Sequence, residues 1–232
     1  MLKIFIPAYN EEKAIMSNIN QIHSILSRKF KDFRLYLIDD GSTDKTSEIA
    51  KNIKLKDYKY IRCNCPSRRE NLVQSMAKYS DNNDIIGFMD ADRSTGEEAL
   101  DSAIKAIEKN NYDIVIGSRY VKGSKIKRKI DRRIISFMFN NFVRLYFNSE
   151  IKDHECGFKF FKANILKELV NEMGVDYERK MFWDSEMLIR AQRKNLRILE
   201  VPVYWIEGPK SALSFKKELP MIKYILKLRF RL

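Results

Sequence analysis

Two carboxylates flank one small residue in Asp90-Ala91-Asp92, directly after the apolar run Ile85–Met89. At a strand end, such a pair can present oxygens to one hard divalent cation. Mg²⁺ or Mn²⁺ held there bridges to phosphate oxygens and neutralises charge on a departing diphosphate. The bare spacing equally fits a solvated turn, so its neighbours decide. Pro7-Ala8-Tyr9-Asn10-Glu11-Glu12 and Asp39-Asp40-Gly41-Ser42-Thr43-Asp44 also follow apolar runs. An Asp at a strand end can accept hydrogen bonds from a ribose or a base, and Gly41 lets the backbone approach a ligand closely. A turn with a helix cap explains Gly41 and Ser42, but it does not require Asp39 and Asp40 side by side.

A second group is cationic: Arg119, Lys122, Lys125, Lys127, Arg128, Lys129, Arg132 and Arg133. Arg grips phosphate oxygens in a bidentate fork. The plainer reading of the same run is a solvated loop, or one resting on anionic lipid. Further on stand the acids Asp184 and Glu186. Glu186 suits the first turn of a helix, where the dipole favours an acid.

Alternating apolar runs and helical patterns would position these groups. Strands are expected over Leu2–Pro7, Phe33–Asp39, Tyr58–Cys63, Ile85–Met89 and Ile114–Ser118. Helices are expected over Glu12–Arg28, from a Ser42 or Thr43 cap to about Ile53, and over Glu70–Tyr79 and Glu97–Lys109. This rhythm predicts an α/β fold with a mainly parallel central sheet and helices on both faces. Ligands bind beyond the carboxyl ends of such strands, where the polar clusters fall. After Tyr120 the pattern changes. Lys122–Arg133 is basic, Ile134–Phe147 helical and aromatic, Phe158–Phe161 and Arg197–Val203 strand-like, and Phe182–Lys194 helical. Phe215–Leu232 reads as a helix interrupted or started at Pro220.

The 232 residues can bury a sizeable core. Lys and Arg number 44 against 31 acids, giving +13, which draws nucleic acid, anionic lipid or phosphorylated substrates. No base-stacking or groove-reading motif supports nucleic acid. Cys63, Cys65 and Cys156 read as free thiols in a reducing compartment, and His23 and His154 do not complete a zinc set with them. No secretory leader is evident, and no run approaches the ~20 apolar residues that cross a bilayer.

Together the motifs resemble glycosyltransferase family 2, with its GT-A nucleotide-diphospho-sugar transferase fold. The donor-side signatures are Ile6–Glu12, Ile38–Asp44 and Met89–Asp92. The second half resembles the dolichyl-phosphate hexose synthases, through Gly117–Tyr120, Arg132-Arg133, Asp153–Phe161, Phe182–Glu186 and Glu200–Trp205. Asp-x-x-Cys-Gly-Phe-Lys-x-Phe and the terminal Lys-Leu-Arg-Phe-Arg look most like the dolichyl-phosphate glucosyltransferases. Arg93-Ser94-Thr95 and Gly208-Pro209-Lys210-Ser211 depart from the family pattern.

The resemblance implies a catalytic domain over 1–212, with a donor half to about residue 120 and an acceptor half over about 121–212, followed by a basic amphipathic helix over 213–232. Pro7, Tyr9, Asn10, Glu11, Asp39, Asp40, Asp90 and Ala91 would bind the nucleotide-sugar, and Asp90 and Asp92 the Mg²⁺ or Mn²⁺. UDP-glucose is the favoured donor, with GDP-mannose and UDP-N-acetylhexosamine open. Asp92, Arg119, Asp184 and Glu186 are the catalytic candidates, and Arg119, Arg132, Arg133 and Lys210 would face an acceptor phosphate. The implied reaction is an inverting, metal-dependent transfer of a hexose to a polyprenyl phosphate. The alternative is a soluble relative using Asp184 or Glu186 toward a saccharide hydroxyl.

A polyprenyl tail brings the enzyme to a membrane, since each CH₂ exposed to water costs about 0.8 kcal/mol. In Ile134–Phe147 one helical face carries Ile134, Met138, Phe142 and Leu145, and another Arg133, Ser136, Asn140 and Arg144. With Phe215–Leu232 it reads as an interfacial helix whose cations meet anionic headgroups. The expectation is a peripheral protein on the cytoplasmic face of a membrane. Packing on the sheet or in a homo-oligomer is the competing use of both helices.

Overall fold

The computed structural model describes residues 1–64, 69–90, 98–206 and 215–232, and the side chains of all these except 215–220. In chain order the elements are β1 (Leu2–Ala8), α1 (Ile15–Lys29), β2 (Phe33–Asp39), α2 (Thr46–Lys51), β3 (Tyr58–Arg62), α3 (Glu70–Lys78), β4 (Ile85–Met89), α4 (Glu98–Glu108) and β5 (Ile114–Ser118). There follow β6 (Lys125–Lys127), α5 (Ile130–Phe147), β7 (Phe158–Lys162), α6 (Ala163–Met173), α7 (Trp183–Arg193), β8 (Ile198–Pro202), β9 (Tyr204–Ile206) and α8 (Phe215–Arg231).

The first strands are apolar because both their faces are covered, as parallel strands require. They build a seven-stranded sheet in the order β3-β2-β1-β4-β7-β5-β8. Pairing is parallel except around β7, which runs antiparallel to β4 and β5. On one face Ile15, Ile19, Ile22 and Leu26 of α1 and Leu100 and Ile104 of α4 are buried against the sheet. On the other, Leu72 and Met76 of α3, Leu166 and Val170 of α6, and Trp183 and Leu188 of α7 form a second core layer. A third cluster joins Val143 and Phe147 of α5, Ile189 of α7, and Tyr224, Ile225 and Leu228 of α8.

The reversed strand decides which polar groups meet at one sheet edge. Because β7 runs backwards, its entry segment, Asp153–Gly157, arrives at the edge where β1, β2, β4 and β5 leave. Both halves of the chain therefore deliver polar groups to one sheet edge.

Several sequence expectations are corrected. Ser42 and Thr43 do not cap α2, which starts at Thr46; they are engaged with the first loop instead. The basic run is not all loop: α5 begins at Ile130, so Arg132 and Arg133 lie in its first turns. Pro220 does not divide α8, which is continuous over Phe215–Arg231. The short parallel pair β6–β9 was not foreseen, because three residues are too few to show an alternation.

In α5 the polar stripe turns toward the protein from Ser136 onward, while Arg133 at its start is exposed. Ser136, Asn140, Val143 and Phe147 are buried, whereas Ile134, Phe137, Met138, Phe142 and Leu145 are exposed. Asn140 can be buried because its side-chain oxygen accepts from the His154 backbone N–H at 2.8 Å. No helix among the described residues is long and apolar enough to cross a membrane.

Candidate active site

The loops leaving β1 and β2 are stitched together. Asn10, at a backbone φ of 55°, donates its N–H to Ser42 Oγ at 3.0 Å and accepts the Thr43 N–H at 2.8 Å. The Glu11 N–H reaches Thr46 Oγ1 at 2.8 Å, and Glu12 Oε2 accepts from the Lys45 N–H at 3.1 Å. Asn10, expected on the nucleotide, thus forms part of the seam between the two loops. Tyr9 stands largely exposed beside it.

Asp39 and Asp40 divide the work that their adjacency suggested. The Asp39 carboxylate is fully buried. It accepts from the Ser42 N–H at 2.8 Å, Ser47 Oγ at 2.5 Å and Tyr60 Oη at 2.7 Å, with Arg62 Nη1 at 3.4 Å. Burial works against its charge, but these donors prevail and hold its pKa below the usual carboxylate value. Asp39 therefore braces the turn and aims Arg62, whose Nη2 donates to the Ser42 carbonyl at 3.1 Å. Asp40 is partly exposed and accepts from Asn71 Nδ2 at 2.6 Å.

Asp90 sits where β4 ends, its backbone N–H bonded to the Gly157 carbonyl at 3.0 Å. A Cβ at position 157 would lie 1.8 Å from Asp90 Oδ2, so only glycine leaves room for this carboxylate. Arg69 Nη2 donates to Asp90 Oδ1 at 2.9 Å, and its guanidinium lies over the Phe88 ring, 5.3 Å from the centroid. Ala91 and Asp92 fall outside the described residues, as do Cys65, Arg93-Ser94-Thr95 and Gly208–Ser211 with Lys210. The Asp90 side chain remains about a quarter exposed, at 24%. A hard oxygen donor on an open strand end, with the facing residue reduced to glycine, fits a divalent cation. Among the described residues alone, no group of three metal-ligating side chains forms.

Around the entry to β7 lies a dense set of charges. Arg119 Nε and Nη2 each reach Asp153 at 2.7 Å, and the Arg119 backbone N–H adds a third bond at 2.8 Å. Both residues are buried, and Trp205 lies beneath the guanidinium at 5.2 Å. Burial opposes both charges, but their mutual attraction raises the Arg119 pKa and lowers that of Asp153. Arg119, a candidate for an acceptor phosphate, has Nε and Nη2 of its fork closed on Asp153.

Lys159, fully buried, donates to Asp184 Oδ2 at 2.8 Å and to the Cys156 carbonyl at 2.6 Å. Burial raises the Asp184 pKa against the opposing pull of Lys159. Glu155, half-buried by exposure, is pushed up to about 7 by desolvation, with Asp184 and Asp153 adding to the effect and Arg119 opposing it. The Cys156 thiol is raised to about 12 by burial, so it is inert rather than nucleophilic. Asp153, Arg119, Lys159 and Asp90 all act on that thiol, which makes these charges one neighbourhood.

Glu186 belongs elsewhere. Fully buried, it accepts from Arg179 Nε at 2.8 Å, Arg190 Nε at 2.9 Å and Tyr224 Oη at 2.5 Å. Arg179 also reaches Glu70 Oε2 at 3.1 Å and the Met173 carbonyl at 2.7 Å. This knot ties α3, α7 and α8 together, with the candidate base Glu186 enclosed at its centre. Arg132 is partly buried and Arg133 exposed at the start of α5. Tyr120 Oη, just beyond β5, donates to Ser136 Oγ at 3.1 Å and thereby ties α5 to the site edge.

Sequence reasoning gave no role to Arg69, Glu155 or Lys159. A signal existed for Lys159: a lysine inside the apolar run Phe158–Phe161 must find a buried acid. Arg69 carried none, because its partner is distant in sequence and its φ of 94° is a backbone state that composition does not announce.

A model of the family described as glycosyl transferase family 2 matches residues 3–170. Glycosyltransferase AglD of Haloferax volcanii is 29% identical over 208 residues, covering 88% of this chain and 33% of that protein. The chain thus spans a third of that relative's length. The dolichyl-phosphate beta-glucosyltransferase of Dictyostelium discoideum is 30% identical over 251 residues, covering 99% of this chain and 74% of its own. Among solved structures, glucosyl-3-phosphoglycerate synthase from Mycobacterium tuberculosis, in complex with Mn²⁺ and UDP-glucose, superposes with a TM-score of 0.67 at 18% identity, covering 100% of this chain and 78% of that one. The fold is the GT-A arrangement expected from the motifs. With its stitched loops after β1 and β2, acidic strand end and reversed strand, the chain belongs to glycosyltransferase family 2.

Proposed function

We propose that the protein transfers a hexose, with glucose from UDP-glucose favoured, to a polyprenyl phosphate at a membrane surface, with inversion at the anomeric carbon. The observation that carries this reading is the placement of α5. Its outward face is apolar, its first turns carry Arg132 and Arg133, and Tyr120 ties it to the edge where Asp90 lies. The names of the dolichyl-phosphate glucosyltransferase relatives support the acceptor, and the UDP-glucose complex of the structural neighbour supports the donor.

In this scheme the stitched loops frame the nucleoside, with Pro7, Tyr9, Glu11 and Asp40 along its border and Asp39 bracing the turn beneath. Asp90 and Asp92 would hold a divalent cation, which when bound neutralises charge on the departing diphosphate. A phosphate acceptor, with a second pKa of about 6, is largely dianionic at neutral pH and needs no base. The protein's task is then to orient that nucleophile, for which Arg132, Arg133 and Lys210 are proposed, with Arg119 and Asp153 setting the floor of the acceptor side. In-line attack opposite the leaving diphosphate inverts configuration, and positioning supplies much of the rate. The carboxylate-base alternative loses ground because Asp184 is held by Lys159 and Glu186 by two arginines and a tyrosine.

The test is a donor screen. UDP-glucose, GDP-mannose and UDP-N-acetylglucosamine are offered with a short-chain polyprenyl phosphate and Mg²⁺ or Mn²⁺, and the lipid-linked sugar is detected by mass. Transfer to water-soluble saccharides but not to the lipid phosphate would overturn the acceptor assignment.

A further inference from the structure

We infer that Arg69 is a built-in counter-cation for Asp90, and that it trades this carboxylate for the donor's diphosphate when a divalent metal arrives. The inference rests on the metal–nucleotide reading above and adds an order to it: metal and nucleotide bind weakly apart and strongly together.

The geometry begins with the ion pair. Arg69 Nη2 lies 2.9 Å from Asp90 Oδ1, with the two side chains only 21% and 24% exposed. A pair this far from bulk water is screened less than a surface one. Among the described residues, Nη1 of the guanidinium is buried without a hydrogen-bond partner. A buried donor left unpaired is costly and marks a site with capacity for another acceptor. The residue is held there at a backbone cost, because φ is 94° in a side chain that is not glycine. Phe88 supports the flat face of the guanidinium from β4, two residues before Asp90. The charge of Arg69 is also felt at Asp184, so the guanidinium stands among the charged groups of the site rather than beside them.

Electrostatics then dictates the exchange. A divalent cation on Asp90 places two positive charges against the guanidinium and satisfies the oxygen that Arg69 now holds. Displaced alone, Arg69 would leave a second nitrogen without an acceptor among the described residues. A diphosphate supplies oxygens in the spacing an arginine fork matches. Each ligand therefore removes a cost that the other would meet, and by linkage the effect is reciprocal. Without nucleotide, Arg69 occupies the metal-ligating carboxylate and keeps the affinity for free metal low.

The experiment is calorimetry on the full chain with Mn²⁺ alone, with UDP or GDP alone, and with each nucleotide and Mn²⁺ together, for wild type, Arg69→Met and Arg69→Lys. Melting curves establish that each variant is folded. Wild type should bind Mn²⁺ roughly tenfold or more tightly when the preferred nucleotide is present. Arg69→Met should bind Mn²⁺ alone about tenfold more tightly than wild type and lose most of the coupling. Arg69→Lys keeps a charge without the fork, so weak binding of Mn²⁺ alone should persist while the coupling shrinks. If the Met variant is too unstable, the Lys variant alone decides, because undiminished coupling there overturns the exchange. Unchanged Mn²⁺ affinity and coupling in Arg69→Met would overturn it as well, while leaving the metal site intact. Wild type that binds Mn²⁺ neither alone nor with UDP or GDP would instead remove the metal-site reading on which the inference stands.

Discussion

Gly157 and Asp90 are in contact through the absence of a side chain: the carbonyl of one accepts the N–H of the other at 3.0 Å, and a Cβ would fall 1.8 Å from the carboxylate. The first acid of the Asp-x-Asp pair is thus placed by a residue in the opposite half of the chain. Gly157→Ala should push Asp90 aside. We expect transfer to fall on the order of a hundredfold, as misplacements of about 1 Å do. Mn²⁺ affinity should drop in parallel. Steady-state kinetics beside a melting curve separates this from unfolding, and full activity in the variant would show that Asp90 need not hold its place.

The Arg119–Asp153 pair predicts a stability effect. Asp153→Asn removes one charge from a buried, doubly bonded partnership and should cost about 3–5 kcal/mol in urea unfolding. The pH dependence has a definite sign. The folded-state pKa of Asp153 lies below its ordinary 3.8, so its contribution is present above that value and lost as pH falls through the lowered one. Wild type and variant should therefore converge in stability toward strongly acid pH.

Glu155 predicts the opposite slope. Its pKa in the fold is about 7 against an ordinary 4.5, so the folded protein holds a proton that the unfolded chain releases between those values. Stability from this group falls as pH rises through that window. Glu155→Gln should raise the melting temperature at pH 8 and change it less at pH 5. An equal shift at both values would remove Glu155 from the titration.

The exposed apolar face of α5 and the end of α8 predict surface binding. Leu145 is 85% and Phe230 89% exposed. Leu145→Glu with Phe230→Glu should reduce sedimentation with anionic liposomes at least about tenfold, through lost apolar burial and added repulsion. Melting should barely move, since surface changes stay within about 0.5 kcal/mol. Unaltered liposome binding would direct attention to a protein partner for this face.

Much of this was legible in the chain. The strands and the ends of β1, β2 and β4 follow from apolar runs punctuated by polar clusters, so the sheet edge that gathers the polar loops could be located from sequence. The orientation of Phe158–Phe161 could not, because a short apolar run reads the same whether its neighbours run with it or against it. Nor could the engagement of Arg119. A cation after a strand looks available until a buried acid 34 residues away is brought beneath it. Glu186 shows the same limit, since its partner Tyr224 arrives from a helix near the end of the chain. Helix α5 was legible in its amphipathicity but not in its extent. Lys129, a residue without capping chemistry, precedes it.

The placement of β7 bears on how the molecule can be cut. Its two neighbours, β4 and β5, come earlier in the chain, and the seam it fills lies inside the sheet rather than at the rim. A fragment ending near Tyr120 would keep both neighbours yet leave a bare gap of amide groups between them. A fragment starting there would carry a strand with nothing to dock on. Neither piece should be a self-sufficient unit, and recovery of a working enzyme from the two should require that they be mixed and allowed to reassociate.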